Sequence, residues 1–180
     1  MEISQEAIEL IIAWEVGGGD RAAARSQYDA KYHRPHWPGN SGSGLTIGIG
    51  YDLRWSRDWF EGDWRKRLEA LPAPKDAYTR LAKYLGLRGS RDAEKKTKDI
   101  SIPWDDALTV FRVRRLPDFI AETKRLFPGV DAMHPHVFGA LTSVVYNCGG
   151  NTQGKTRVLK KAAYDSIKKA VASKSVSGVA

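Results

Sequence analysis

Hydrophobic periodicity predicts a chain built mainly from helices, the first of them close to the N-terminus. Apolar residues recur at helical spacing up to Ile11 and Ile12, and Ser4 is a suitable N-cap for a helix over residues 4–16. Glu15 lies four residues after Ile11 and three after Ile12, so it continues this apolar stripe. A carboxyl group in that position loses hydration, which raises its pKa and suits it to donate a proton near neutral pH.

The pattern changes after this helix. Residues 17–44 are rich in glycine, proline and polar side chains and are predicted to form a long ordered loop. Residues 45–53 alternate large and small side chains, which predicts one β-strand. Thr46 and Asp52 are separated by an even number of positions, so on a strand they face the same side.

The rest of the chain is predicted to be helical apart from one charged loop, which makes the fold α+β, with a small sheet beside a helical lobe. Pro117 and Pro128 are predicted to separate short helices. The predicted elements are helices over 56–71 and 75–85, an exposed loop over 88–99, a helix beginning near Ser101, an apolar core helix over 135–147 and a basic amphipathic helix over 156–172.

Composition indicates a folded domain without disulfides. The chain has 180 residues, of which 42% are hydrophobic, and its single cysteine, Cys148, cannot form an intramolecular disulfide. No apolar run is long enough to span a bilayer. Glu2 and Glu6 stand where a secretory signal would be basic, so no signal peptide is visible.

The net charge of +8 favours a polyanionic partner without choosing among nucleic acid, anionic lipid and the bacterial envelope. We rank a nucleic-acid-binding function last, because no nucleic-acid-binding motif is present. His33, His36, His134 and His136 form two pairs that invite a zinc site. Prolines within both pairs and the absence of a cysteine or carboxylate cluster argue against it, so we predict no metal and no cofactor.

Glu15 and Asp52 together match what cleavage of a glycosidic bond requires. That reaction needs a proton donor for the leaving oxygen and a second carboxylate that activates water or stabilises positive charge. The two residues meet this need if the predicted strand folds back against the end of the first helix. The hydroxyl of Thr46 could then hold the attacking water.

Two segments resemble a known family. The pattern Trp14-Glu15-x-Gly-Gly, followed by Ser-Gly-Leu-Thr-Ile-Gly-Ile-Gly-Tyr-Asp-Leu over residues 43–53, resembles the phage-type lysozymes (glycoside hydrolase family 24-like), nearest their pesticin-like branch. Residues 138–149 are also similar to the core helix of that family. The resemblance extends from about Ser4 to Gly149.

The resemblance implies a lysozyme-like fold with a substrate cleft between a small β subdomain, about residues 17–55, and a helical lobe made of residues 1–16 and 56–180. It implies a bacteriolytic muramidase that hydrolyses the β-1,4 bond between N-acetylmuramic acid and N-acetylglucosamine in peptidoglycan. Family members usually continue with further helices, so the C-terminus is expected to be short for the family.

The resemblance also implies residue roles. Glu15 matches the general acid, Thr46 the catalytic threonine and Asp52 the second carboxylate of the pesticin-like branch. In the phage branch an aspartate precedes the threonine by six residues, at the position of Asn40 here, which cannot act as a carboxylate. The candidate substrate-binding residues are Tyr51, Trp37 and Asn147, with stacking on a sugar and simple packing left open for Trp37.

Other interpretations stay open at this point. Glu15 could instead cap a buried donor or pair with Arg21 or Arg25. The protein could be a wall-binding or toxin module that has lost turnover, or a lytic transglycosylase. The expected partner is peptidoglycan, with no nucleic acid and no stable membrane insertion, and the protein is expected to be a monomer. It would be made without a signal peptide and act on the cell wall after release.

Overall fold

The computed structural model describes residues 3–39, 42–148 and 158–174. Within these residues the protein is mostly helical with a small two-stranded antiparallel sheet, which confirms the predicted α+β character. The chain divides into two compact units, one of Met1–Ile11 with Pro117–Ala180 and the other of Ile12–Leu116. The predicted β subdomain, residues 17–55, lies entirely in the second unit.

The regular elements follow one another in this order. They are α1 (Gln5–Glu15), α2 (Ala24–Gln27), a π-helical turn (Tyr28–Tyr32), β1 (Thr46–Ile47), β2 (Tyr51–Asp52), α3 (Phe60–Glu69), α4 (Ala77–Ala82), α5 (Arg91–Thr97), α6 (Trp104–Val110), a second π-helical turn (Phe111–Arg115), α7 (Leu116–Leu126), a 3-10 turn (Val130–Ala132), α8 (Pro135–Cys148) and α9 (Val158–Ala172). No helix in the described part of the chain is both long and apolar enough to cross a bilayer.

The unit of residues 12–116 is built around a β-hairpin. Residues 45–53 were predicted to form one strand, and that prediction is wrong, because the chain reverses between β1 and β2. Gly48 and Gly50 flank the tip with φ angles of 56° and 65°, a conformation that costs glycine little and other residues much more. The repeated glycines therefore make a tight turn, where the sequence had suggested a continuous strand.

The alternation of large and small residues survives this reversal. Thr46 pairs with Asp52 and Ile47 pairs with Tyr51, so odd positions oppose odd positions and even positions oppose even ones. Directly opposed residues of antiparallel strands point to the same face. The odd-numbered large residues are accordingly all buried, and they are Leu45, Ile47, Ile49, Tyr51 and Leu53.

Aromatic side chains form much of the core beneath the hairpin. Trp64 from α3 is buried and makes an edge contact with Tyr51, with ring centroids 5.6 Å apart. A Cβ added at Gly48 would lie 3.1 Å from the Trp64 ring, so the hairpin tip packs closely on α3. Phe60 of α3 stacks on Tyr78 of α4, with ring centroids 5.4 Å apart. This packing fixes the hairpin to the helical part of its unit.

The other unit packs the first part of α1 on α8. Ser4 caps α1 as predicted, its hydroxyl accepting a hydrogen bond from the Ala7 amide at 3.2 Å. A Cβ at Gly139 would collide with Ala7, so the glycine permits close approach of the two helices. Phe138 and Val145 of α8 are fully buried, which confirms the predicted apolar core helix.

Two predicted loops contain helices. Within residues 17–44, helix α2 and the first π-helical turn replace part of the expected loop. The charged stretch 88–99 was predicted to be an exposed loop and instead contains α5, capped by the Ser90 hydroxyl, which accepts from the Ala93 amide at 3.1 Å. Acidic residues in the first turn and basic ones in the last favour this helix through its dipole. Pro117 was predicted to separate two helices, and that prediction is wrong, because helical backbone continues from Trp104 to Leu126 through the second π-helical turn, which ends just before Pro117.

Candidate active site

Glu15 is the last residue of α1, and Val16 separates it from the three glycines that follow the helix. Gly17, Gly18 and Gly19 all have positive φ angles, and the Gly19 amide donates to the Ala13 carbonyl at 3.3 Å. This backbone turns sharply away and leaves Glu15 at an abrupt helix end. The side chain is half-buried, between exposed Trp14 and buried Val16.

The surroundings of Glu15 favour its protonated form. Loss of hydration raises the pKa of the Glu15 carboxyl from 4.5 to about 7, and the positive charge of Arg115 opposes this rise without cancelling it. Arg25 was one of two arginines considered as an ion-pair partner for Glu15, and it instead bonds Asp29 at 3.0 Å. Near neutral pH a large fraction of Glu15 therefore keeps its proton, as a general acid must.

Asp52 on β2 is held differently, by main-chain hydrogen bonds. The Gly44 amide donates to its two carboxylate oxygens at 3.0 and 3.1 Å, and the Arg54 amide donates to Oδ1 at 2.8 Å. A Cβ at Gly44 would lie 2.5 Å from Asp52 Oδ1, so only glycine allows this approach. The carboxylate is consequently fixed in orientation and also ties together the chain segments on either side of the hairpin.

Thr46 lies directly opposite Asp52 on β1 and therefore projects to the same face. Its main chain is also bonded on the other side, since its amide and carbonyl both pair with His36, at 2.8 and 2.9 Å. Only 8% of Thr46 is exposed. The prediction that Thr46 and Asp52 share a face holds in the structure, but through cross-strand pairing and not through spacing along one strand.

Tyr51 is a core residue. It is 1% exposed, and its hydroxyl donates to Asp63 of α3 at 3.1 Å. Asp63 also accepts from Arg114 Nε at 2.9 Å and is itself almost completely buried. Tyr51 was predicted to bind substrate, but the structure places its ring inside the unit and gives its hydroxyl a protein partner. The candidate site therefore does not include it.

Arg115 connects the helix end electrostatically with the hairpin. Its positive charge lowers the pKa of the Glu15 carboxyl and also opposes the rise that burial causes in the pKa of the Tyr51 phenol. The same guanidinium therefore influences both the carboxyl group at the end of α1 and the phenol of Tyr51 on β2.

Two further residues were predicted to bind substrate, Trp37 and Asn147. Trp37 is half-buried, follows the residue that pairs with Thr46, and packs closely against Gly89. Asn147 lies on α8, in the other compact unit, and its side chain is outside the described residues, as is all of Asn40. Their predicted roles stay predictions.

His134 and His136 have hydrogen-bond partners, and His33 and His36 are half-buried. His136 Nδ1 lies 2.7 Å from the Ser4 hydroxyl, and the His134 and His136 rings are 4.9 Å apart. His36 packs its ring edge-on against Tyr32, and burial lowers its pKa. In the part of the chain that the structure describes, no three His, Cys, Asp or Glu side chains are grouped so as to hold a metal ion.

Three residues that matter here were missed from the sequence. Asp63, Arg114 and Arg115 carry no local signal, because Asp63 is 12 residues from Tyr51 and 51 from Arg114. An acidic residue in the first turn of a helix, such as Asp63 in α3, is normally expected to be exposed to solvent and to interact with the helix dipole. Only folding shows that this one is buried and bonded to two partners.

No family model, no curated protein and no solved structure matches this chain.

Proposed function

We propose that the protein is a peptidoglycan-cleaving muramidase with a lysozyme-like arrangement of a small β element and a helical lobe. The observation that carries the proposal is the half-buried Glu15, whose pKa is raised to about 7 at an abrupt helix end. Support comes from Asp52, a carboxylate of the hairpin that shares one face with Thr46 and is held in place by main-chain amides.

In the proposed reaction, Glu15 donates its proton to the oxygen that joins C1 of N-acetylmuramic acid to C4 of N-acetylglucosamine. The C1–O bond breaks, and the N-acetylglucosamine side leaves as an alcohol while positive charge develops on the muramic acid ring. The fixed Asp52 carboxylate accepts a proton from a water placed with the help of Thr46, and that water oxygen bonds to C1. Proton exchange with solvent then restores both carboxyl groups.

A second candidate within the same class is a lytic transglycosylase. It is favoured by the three main-chain hydrogen bonds that occupy Asp52, because that reaction needs only one acid–base carboxyl group. In it the muramic acid 6-hydroxyl, and not water, attacks C1 and forms a 1,6-anhydro ring. Glu15 first protonates the leaving oxygen and then takes the proton of that hydroxyl.

The deciding experiment digests purified peptidoglycan sacculi and identifies the released fragments by mass spectrometry. Reducing muramic acid ends are expected for a muramidase, and 1,6-anhydro ends would assign a transglycosylase. Glu15→Gln is expected to release fragments at least about 100-fold more slowly, as loss of a general acid commonly does. Glu9→Gln, on an exposed position of the same helix, serves as the matched control and should keep full activity.

Sacculi that are bound but never cut by the parent protein would contradict the enzymatic proposal. That result would instead support a wall-binding module, the non-enzymatic alternative. Full activity in Glu15→Gln would remove the acid assignment.

A further inference from the structure

Among the residues that the structure describes, several large apolar side chains are exposed to solvent, and Trp55 is the most exposed of them. Trp55 is 64% exposed, whereas Trp64 in the core of the same unit is 1% exposed. Trp59, four residues further on, is also exposed. A single exposed apolar residue is ordinary in proteins, so exposure alone assigns nothing. The way in which Trp55 is held is what distinguishes it.

The main chain of Trp55 is held by a hydrogen bond to Asp52. Its amide donates to the Asp52 carbonyl at 3.2 Å, in a tight turn directly after β2. The Ser56 hydroxyl donates to the same carbonyl at 2.8 Å, and Ser56 is only 1% exposed. Asp52, the candidate second carboxylate, therefore also holds the main chain from which the Trp55 side chain extends.

The ring is further restrained by Arg54. The Arg54 guanidinium lies over the Trp55 ring, 4.6 Å from its centroid, and donates to the Gly42 carbonyl at 3.0 Å. A cation over an aromatic face is attracted by the ring's π electrons. The indole is thus held against a residue that is itself bonded to the loop before β1, yet most of its surface remains open to solvent.

An exposed aromatic ring beside the proposed second carboxylate suits one class of ligand. The C–H groups on the face of a pyranose ring are apolar and slightly positive, and they pack well on the negative face of an indole. Because the Arg54 guanidinium already contacts one face of the ring, less side-chain entropy is lost when a sugar stacks on it. We propose that Trp55 is a sugar-stacking residue that binds a pyranose ring of the peptidoglycan glycan strand adjacent to Asp52. This inference rests on the proposed function.

The test measures binding without cleavage. All variants are made in the Glu15→Gln protein, so that the glycan stays intact, and binding is measured to purified sacculi and to soluble N-acetylglucosamine oligomers. Trp55→Ala is expected to weaken binding about tenfold, and Trp55→Tyr should restore most of it, because stacking needs an aromatic face. Trp59→Ala is the matched control, since Trp59 is also exposed (42%) and belongs to the same unit, and it should change binding less than about twofold.

The outcomes separate the two proposals. Equal binding by Trp55→Ala and the Glu15→Gln background, or equal losses for Trp55→Ala and Trp59→Ala, would overturn the stacking role and leave the proposed function standing. A background protein that binds neither sacculi nor oligomers, together with a parent that releases no fragments, would overturn both. Phosphatidylcholine vesicles provide a further arm, in which a loss of vesicle binding by Trp55→Ala, with glycan binding unchanged, would assign the indole to a lipid surface and contradict the proposal.

Discussion

The end of α1 and the β-hairpin each carry a carboxyl group, and the surroundings of the two groups differ. Glu15 is half-buried, and a cation only partly offsets its lost hydration, so its pKa rises to about 7. Asp52 accepts three main-chain hydrogen bonds, which fix its orientation. The comparison teaches that loss of hydration sets the pKa of Glu15, whereas main-chain hydrogen bonds set the orientation of Asp52.

Asp63 sharpens this comparison. It is buried more deeply than Glu15, yet Tyr51 and Arg114 both donate hydrogen bonds to it. A buried carboxylate with two such partners is compensated for its loss of water. Asp63 therefore serves as a structural link between β2, α3 and the second π-helical turn.

The largest change in stability is expected from Asp52→Asn. Asp52→Asn places an amide donor opposite the Gly44 amide, so the unfolding free energy should fall by about 1–3 kcal/mol. If the carboxylate also acts on water, fragment release should fall about tenfold or more. Urea unfolding and product release measure the two effects, and Asp58→Asn, an exposed position in the same segment, is the control. Normal cleavage with reduced stability would limit Asp52 to its structural role.

The next effect tests Glu15 through the pH dependence of stability. Its pKa is higher in the folded protein than the ordinary value of 4.5, so folding favours the protonated form. The resulting stabilisation is complete below about pH 4.5 and is lost as pH rises through about 7. Relative to Glu15→Gln, the unfolding free energy of the parent should therefore decrease by roughly 1–2 kcal/mol between pH 4.5 and 8, after allowance for solvent screening. A pH-independent difference between the two proteins would show that Glu15 has an ordinary pKa.

A smaller effect is expected at the link between the hairpin and α3. Tyr51→Phe removes only the hydroxyl that bonds Asp63, so the unfolding free energy should fall by about 1 kcal/mol in urea titrations. Tyr78→Phe changes the same group on a partly exposed ring of this unit and is the control, expected to shift stability by less than about 0.5 kcal/mol. Equal shifts in the two variants would argue against the buried bond.

The smallest effect concerns the cation beside Glu15. Because Arg115 lowers the pKa of Glu15, Arg115→Gln should raise it and move the alkaline limit of cleavage upward, by about half a pH unit. The pH profile of fragment release measures this shift, and Arg112→Gln, an exposed arginine in the same turn, should leave the limit unchanged. A downward shift in Arg115→Gln would contradict the placement of the cation.

Local patterns predicted the helices well wherever caps and apolar stripes agreed. The Ser4 cap, the helix that ends at Glu15 and the apolar helix α8 are all present. The charged stretch around α5 was misjudged, since it has few apolar residues and its helix depends on the Ser90 cap and on charges placed along the dipole. The hairpin was not predicted, because the sequence alternates large and small residues in the same way in one long strand and in two paired strands whose opposed residues are both odd-numbered or both even-numbered.

The sequence alone determined that a carboxyl group would stand at the core end of the first helix, because the periodicity of a helix is local along the chain. Thr46 and Asp52 share a face as predicted, but they do so because the chain reverses and pairs β1 with β2. Tertiary structure alone decided that Asp52 is held by main-chain amides, that Asp63 is buried between Tyr51 and Arg114, and that Arg115 stands near Glu15. Those properties depend on which distant segments meet, and the burial and charge that tune each carboxyl group exist only once they have met.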